Sequence, residues 1–343
     1  MAYTFAGLKK RITDFRHKKV LVVGDLILDE FIWGEVSRIS PEAPVPVVLT
    51  KHESIMPGGA SNVANNLRAL GAEVYLAGII GDDEYGATLR GELDQKGIYT
   101  YGVFVDGSRP TTVKTRVVAH HQQVVRIDRE KAEPLQEGYV SKIIDFVKGA
   151  AREMDGIIIE DYGKGVITPR LLKECVPYAR RYDKVISVDP KEEHFRYYRS
   201  ISVITPNNHE ASRAVGFKIK DEKSLRAAGK KLLEMTGCRI VLITLGENGM
   251  AVFQKGKAMT HIPTVAQEVF DVSGAGDTVI ATFTLALCAG ADPVRAAFIA
   301  NCAAGIVVGK VGIAVVSPHE LIERVRVETD TPRATRPLQL QDS

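Results

Sequence analysis
Apolar positions along this chain switch between a helical spacing and a strand spacing. Phe5, Leu8, Ile12 and Phe15 fall three and four apart, which predicts a short amphipathic helix. Residues 19–23 are then a continuous β-branched run, the sign of a strand buried on both faces. Residues 31–50 change character, because Pro41, Pro44 and Pro46 stand among β-formers. Proline belongs at sheet edges, so this stretch predicts a strand pair projecting from the core. Residues 110–128 are β-rich and alternating, and predict a second such piece. Pro57-Gly58-Gly59 is expected to open a helix marked by Val63, Leu67 and Leu70 and stopped by Gly71. A strand over 73–80 and a turn at Gly81-Asp82-Asp83 follow.

From Gly138 onward the alternation is regular. It predicts helices over 140–154, 168–182 and 225–236, and strands over 156–160, 184–188, 201–204 and 240–244. A mixed, strand-like run over 261–270 leads into the turn DVSGAGD, and an apolar helix over 278–288 leaves it. Alternating β and α of this size means an α/β fold with a mainly parallel sheet covered by helices. The two projecting pieces predict a small β lid or a dimer contact. One domain is expected over 1–327, with a loose tail over 328–343, where prolines and polar residues replace the apolar pattern.

Composition narrows the partners. Lys plus Arg is 45 and Asp plus Glu is 42, a formal charge of +3, so there is no global footprint for nucleic acid or a membrane surface. The four cysteines lie far apart in or beside apolar runs, as buried free thiols in a reducing compartment would. The N-terminus lacks a signal-length apolar core, and no run of about 18 apolar residues occurs. A soluble, cytoplasmic protein is expected.

The candidate chemistry gathers at strand ends and at one turn. Gly274, Ala275 and Gly276 let backbone amides crowd where a helix begins, which suits a phosphate. Asp277 beside that turn would repel a phosphate unless it takes a proton from an attacking hydroxyl. It could equally serve the helix dipole. Asp25 and Asp29, in GDLILD, sit where ligands of open α/β sheets bind. Gly58 and Gly59 permit close approach of a ligand, and Asn62 can hydrogen-bond hydroxyls. Further strand ends carry Glu160-Asp161, Asp189-Pro190-Lys191, Asn207 with Glu210, and Thr244-Leu245-Gly246. Neither a P-loop nor a complete GxGxxG is present, which argues against a P-loop NTPase and a dinucleotide dehydrogenase.

GGASNVANNLRALG and DVSGAGDTVIATF, in that order with Asn207 to Glu210 between them, resemble the signatures of the ribokinase, or PfkB, family of carbohydrate kinases. The resemblance spans nearly the whole chain and implies a ribokinase-like fold. Val272 departs from the Thr common across the family and leaves the expected anion hole intact. GDLILDEFIWGEVSRISPEAPVPVV, HQQVVRID, EDYGKGVIT, VDPK and VGKVGIAVVSP narrow the resemblance to the family's heptose 7-phosphate kinases. Bifunctional members of that branch continue into a nucleotidyltransferase domain marked by HxGH. No HxGH occurs here, so a kinase alone is expected, with the second activity on another protein.

The resemblance implies ATP and Mg²⁺ as cofactors and a heptose 7-phosphate acceptor. Asp277 is then the base, with the amides of Gly274, Ala275 and Gly276 holding the transferred group. Asp25, Asp29, Gly58, Gly59 and Asn62 would bind the sugar. Candidates for its phosphate are Arg38, Arg116, Arg126 and Lys164, with Gln123 as a hydroxyl contact. Arg116 could instead be an edge-strand charge. The nucleotide would meet Lys191, Asn207, Thr244, Gly246, Gly249, Asn301 and Gly305, although the small-residue helix carrying Asn301 is also explained by close packing. Asn207 and Glu210 would hold Mg²⁺ through water. Covering the apolar faces of the β segments would make the protein a homodimer through the lid. Another sugar or nucleoside kinase, or a catalytically silent sugar-phosphate binding protein, are the competing readings.

Overall fold
Val20 and Val22 pack into one apolar cluster and Leu21 and Val23 into another, so the strand that carries them is sandwiched between two helical layers. The computed structural model describes residues 4–120, 122–266, 269–310 and 312–330. In chain order the elements begin with α1 (Phe5–Thr13), β1 (Lys19–Gly24), β2 (Leu26–Ile39), β3 (Pro46–Gly59), α2 (Ala60–Ala69) and β4 (Glu73–Ile80). Next come α3 (Glu84–Gln95), β5 (Tyr99–Val105), β6 (Thr112–Ala119), β7 (Gln122–Arg129), α4 (Glu137–Ala150) and β8 (Gly156–Glu160). Then follow α5 (Pro169–Arg180), β9 (Val185–Asp189), β10 (Val203–Ile204), α6 (Asn208–Val215), α7 (Glu222–Thr236) and β11 (Ile240–Thr244). The chain closes with β12 (Met250–Gln254), β13 (Thr260–Ile262), α8 (Ala275–Cys288), α9 (Pro293–Val307) and α10 (Pro318–Asp330).

The main sheet has the order β13-β12-β11-β10-β9-β8-β1-β4-β5. Pairing is parallel from β11 to β5, while β12 and β13 are antiparallel additions. From β1 the chain moves outward to β4 and β5, then returns to β8 and proceeds the other way. That reversal opens a crevice above the carboxyl ends of β1 and β8, where open α/β sheets bind ligands. No described helix is long and apolar enough to cross a membrane.

The two projecting β segments are one structure. β2 pairs with β3 antiparallel and with β6 parallel, and β7 closes a four-stranded sheet of order β3-β2-β6-β7. This lid is longer than the sequence pattern implies. β2 starts at Leu26, directly after β1, and Pro57-Gly58-Gly59 are the last residues of β3 rather than a loop opening the helix. Pro57 is tolerated there because β3 is an edge strand.

Other boundaries also differ from expectation. The strand-like run at 261–270 is a strand only over Thr260–Ile262, and residues 267–268 lie outside the described residues. The segment from 328 is not tail at its start, because α10 runs to Asp330 with Glu328 buried. The rest of that tail lies outside the described residues. The helix α3, the strand β5 and the antiparallel β12 carry no counterpart in the expected elements.

Candidate active site
A cleft of about 280 Å³ opens over the carboxyl ends of β8 to β11. Asp161, Asp189, Lys191, Asn207, Thr244 and Asp277 are among its lining residues. α8 points its N-terminus into this cleft. Gly274 caps the helix at φ 75°, a left-handed conformation, and a Cβ there would stand 2.8 Å from Asn62 Nδ2. The Ala275 amide closes the turn on the Val272 carbonyl at 3.2 Å. Among the described residues the open amides of this turn are therefore those of Gly274, Gly276 and Asp277, so Ala275 drops out of the expected anion hole and the Asp277 amide joins it. Val272 contributes a backbone carbonyl to the turn, and its side chain is exposed.

Asp277 is buried, yet both carboxylate oxygens are held. Asn62 Nδ2 donates to Oδ2 at 2.6 Å and the Tyr162 hydroxyl to Oδ1 at 3.1 Å. Asn66 donates to Asn62 Oδ1 at 3.1 Å and accepts from the Thr278 hydroxyl at 2.8 Å, so the base is tied back into its own helix. Burial pushes Asp277 up to about 6, opposed by the Asn62 and Tyr162 hydrogen bonds. Nearby Asp29 raises it further and Lys114 lowers it. A carboxylate tuned close to neutrality and poised at a helix N-terminus is fitted to accept a proton. Asn62, expected to meet a sugar hydroxyl, thus spends its amide on positioning the base.

Asp25 also has a different task from the one expected. Its carboxylate accepts the backbone amides of Tyr162 (2.9 Å), Lys164 (3.0 Å) and Val166 (3.0 Å). It is fully buried, and desolvation, then Asp161, push it up to about 6. Asp25 therefore holds the loop that carries Tyr162. Asp29 takes the place nearer the cleft, on the root of β2, where it is ion-paired with Arg116. A Cβ on Gly58 would stand 2.1 Å from Asp29 Oδ2, so only glycine lets β3 pass this carboxylate. Gly59 at φ 53° similarly lies against the Asp25 carbonyl and the Ile27 side chain.

The remaining basic candidates separate by partner. Arg116 packs 5.3 Å from the Phe31 ring as well as pairing with Asp29. Lys164 Nζ meets Glu130 at 2.7 Å. Arg126 is exposed and chelates Asp128 at 2.9 and 3.0 Å, and Gln123 is exposed on the same strand. Arg38 is exposed near the far end of β2.

On the opposite wall, Asn207 and Glu210 form a capping box at the start of α6. Asn207 Oδ1 accepts the amides of His209 and Glu210, and Glu210 Oε2 accepts that of Asn207. Lys191 lies in the cleft wall, with Glu193 at 3.8 Å. Thr244 bridges to Asn207 at the end of β11. Gly246 and Gly249 take φ of 58° and 80° in the following turn. Asn301 donates to the Pro263 carbonyl at 2.7 Å, and a Cβ on Gly305 would stand 2.7 Å from Val265 Cγ2. Both residues thus clamp the 263–266 segment against α9.

Several site residues escape sequence reasoning. Tyr162 comes from the loop after β8, and Lys114 from the lid. Glu160 and Asp189 are visible in the sequence only as polar strand ends. Their carboxylates and that of Asp277 lie within 4.8 Å of one another. Among the described residues no donor reaches either buried oxygen of Glu160. Desolvation, then Asp189 and Asp277, push Glu160 well above the usual range. Asp189 is raised by burial and by Glu210. A shared proton or a nearby cation would each relieve this pair.

The pfkB family carbohydrate kinase model matches residues 17–320. The bifunctional protein HldE of Desulfatibacillum aliphaticivorans is 49% identical over 307 residues, covering 90% of this chain and 63% of that protein. HldE of Helicobacter pylori is 44% identical over 304 residues, 89% of this chain and 65% of that protein. The chain thus spans somewhat under two thirds of the length of these curated relatives. Arabidopsis thaliana ribokinase complexed with ribose and ATP superposes with a TM-score of 0.72 at 20% identity, covering 90% of this chain and 99% of that one. Escherichia coli phosphofructokinase-2 in complex with substrates and products gives 0.74 at 16% identity, with the same coverages. These superpositions establish the ribokinase-like fold. The family match, together with a buried carboxylate beside open amides, makes this chain a sugar kinase and a member of the pfkB family of carbohydrate kinases.

Proposed function
We propose that this kinase transfers the γ-phosphoryl group of ATP to the anomeric hydroxyl of D-glycero-β-D-manno-heptose 7-phosphate. The product is the 1,7-bisphosphate, on the way to ADP-heptose for the lipopolysaccharide inner core, made in the cytoplasm. The observation that carries the chemistry is Asp277, buried at the start of α8 and held by Asn62 and Tyr162 beside the open amides of Gly274 and Gly276. The heptose acceptor rests on the similarity to HldE proteins.

In this reading Asp277 takes the proton of the acceptor hydroxyl while the helix amides receive the transferred phosphoryl oxygens. A loose transfer needs positioning and charge neutralisation more than covalent chemistry. Asp29, Gly58 and Arg116 shape the sugar side, and the turn at Thr244, Gly246 and Gly249 lies on the nucleotide side. The donor set fits a hydrated divalent cation. Glu160 and Asp189 lie within 4.8 Å of one another and Glu210 adds its charge to Asp189, so a cation on this wall of the cleft offsets their repulsion. Mg²⁺ held through water by Asn207 and Glu210 would neutralise charge on the ATP phosphates.

The lid exposes Ile39, Leu49, Val125 and Ile127, and covering this apolar surface favours a homodimer through the lid. Sedimentation as a monomer at micromolar concentration would count against that pairing. The substrate test is ATP consumption against heptose 7-phosphate, sedoheptulose 7-phosphate, fructose 6-phosphate, ribose and adenosine. Turnover confined to heptose 7-phosphate supports the reading. Turnover on ribose or adenosine instead keeps the Asp277 chemistry and overturns the acceptor.

A further inference from the structure
Among the described residues, three of the four cations expected on the acceptor side are paired, and Arg38 is exposed near the far end of β2. Arg116 is paired with Asp29, Lys164 with Glu130 and Arg126 with Asp128. Lys114 lies on β6 opposite Asp29, and its ammonium makes no hydrogen bond or contact ion pair with any described residue. Its ammonium stands 4.9 Å from the centre of the Tyr162 ring, and the Tyr162 hydroxyl donates to the base. Burial lowers the Lys114 pKa, Asp29 raises it, and Lys164 and Arg116 repel it. Lys114 in turn is one of the charges acting on Asp277.

This ammonium is half-withdrawn from water and in contact with no carboxylate, Asp29 and Asp128 acting on it without an ion pair, whereas its three neighbours each have one. We propose that Lys114 is the lid's phosphate-binding cation, and that its counter-ion is a phosphate oxygen of the bound substrates. This rests on the kinase reading above. Two phosphates are in reach of the idea: the γ-phosphoryl group in transfer, and the phosphate already on the acceptor. In the first case the bond from phosphorus to the ADP oxygen breaks as the bond to the acceptor oxygen forms. The acceptor proton passes to Asp277, and Lys114 offsets charge on the oxygens of the moving group. In the second case Lys114 fixes the acceptor and takes no part in the transfer.

Steady-state kinetics of Lys114→Met and Lys114→Arg, with thermal denaturation of both, test this. Lys114→Met is expected to melt no lower than wild type, since it removes an unpaired ammonium. Its kcat/KM should fall on the order of 10²-fold, with most of the loss restored in Lys114→Arg. A fall in kcat at saturating acceptor assigns Lys114 to the transferred group. A rise in KM for the phosphorylated acceptor, with kcat kept, assigns it to the acceptor's phosphate. Unchanged kcat and KM in a folded Lys114→Met protein overturn the proposal. If wild type ignores heptose 7-phosphate, the proposed acceptor fails instead. The same comparison on whichever phosphorylated sugar is turned over then decides Lys114 separately.

Discussion

The hydrogen bond from Asn62 to Asp277 is the most direct handle on the proposed base. At 2.6 Å it favours the charged carboxylate, against the burial that brings the group to about 6. Asn62→Ala removes that donor. The second anchor of Asn66, the Asn62 carbonyl at 3.0 Å, stays in place. A hydrogen bond to a charged group is worth about 1.5–3 kcal/mol. At about 1.4 kcal/mol per pH unit this lifts Asp277 by roughly one to two units. The base must be ionised to accept a proton, so kcat/KM of wild type should fall as pH drops through about 6. In Asn62→Ala the same acid limb should lie at roughly 7–8. The variant should keep much of its activity in mild alkali and lose it near neutrality. The assay is kcat/KM against pH, with ADP release read directly so that no coupling enzyme distorts the profile. An acid limb that stays put in Asn62→Ala, or a loss equal at every pH, would refute the assignment of Asp277 as the titrating base.

Asp277→Asn keeps the size of the side chain and removes its basicity. Turnover should fall by about 10²–10⁴-fold while the dissociation constant for ATP, from calorimetry, stays close to wild type. Gly58→Ala would press a methyl group onto Asp29, which its pairing with Arg116 prevents from yielding. It should cost about 1–3 kcal/mol in urea unfolding and raise the acceptor KM. Stability itself should depend on pH in two windows. Asp25 and Asp277 sit near 6 in the fold against 3.8 in their ordinary state, so the native protein binds more protons between those values. Their burial is therefore least costly below 3.8, and the relief is lost as pH rises through about 6. Glu320, held down to about 2 against Lys310 and Ser317, works oppositely and loses its contribution as pH falls from 4.5 towards that value. Urea midpoints should therefore rise from mild alkali to mild acid, and a monotonic fall on acidification would contradict the two raised carboxyls.

Much of the parallel sheet is legible because its strands are buried on both faces and read as unbroken apolar runs. β1, β4, β8 and β11 are of this kind. α3 and β5 escape because Gly86, Gly91 and Gly102 interrupt their patterns and only part of each is buried. The lid strand β3 is cut short in the sequence by Pro57-Gly58-Gly59, residues that punctuate most chains. Here they are an edge strand passing close to Asp29. The turn before α8 and the position of Asp277 can be read from local residues alone, since both lie within a few positions of one helix start. The roles of Asp25 and Asn62 cannot. Which groups a carboxylate or an amide reaches depends on partners more than a hundred positions away, such as Val166 and Asp277. The pairing of Glu160 with Asp189, and the isolation of Lys114, likewise arise only when separate strands and the lid are brought together.

The four-stranded sheet joins the main body at few points: β2 follows β1 after a single residue, β3 runs straight into α2, and β6 and β7 enter through loops. The proposed phosphoryl-transfer residues, by contrast, sit on α8 and the carboxyl ends of the main strands. The two meet where Asp29 and Lys114 act on Asp277, so a lid rewritten for a new acceptor must keep those two charges if Asp277 is to stay near 6. The same partition offers engineers a grafting boundary, with Leu26 and Gly59 as the natural seam, since they pair with each other at the lid's root.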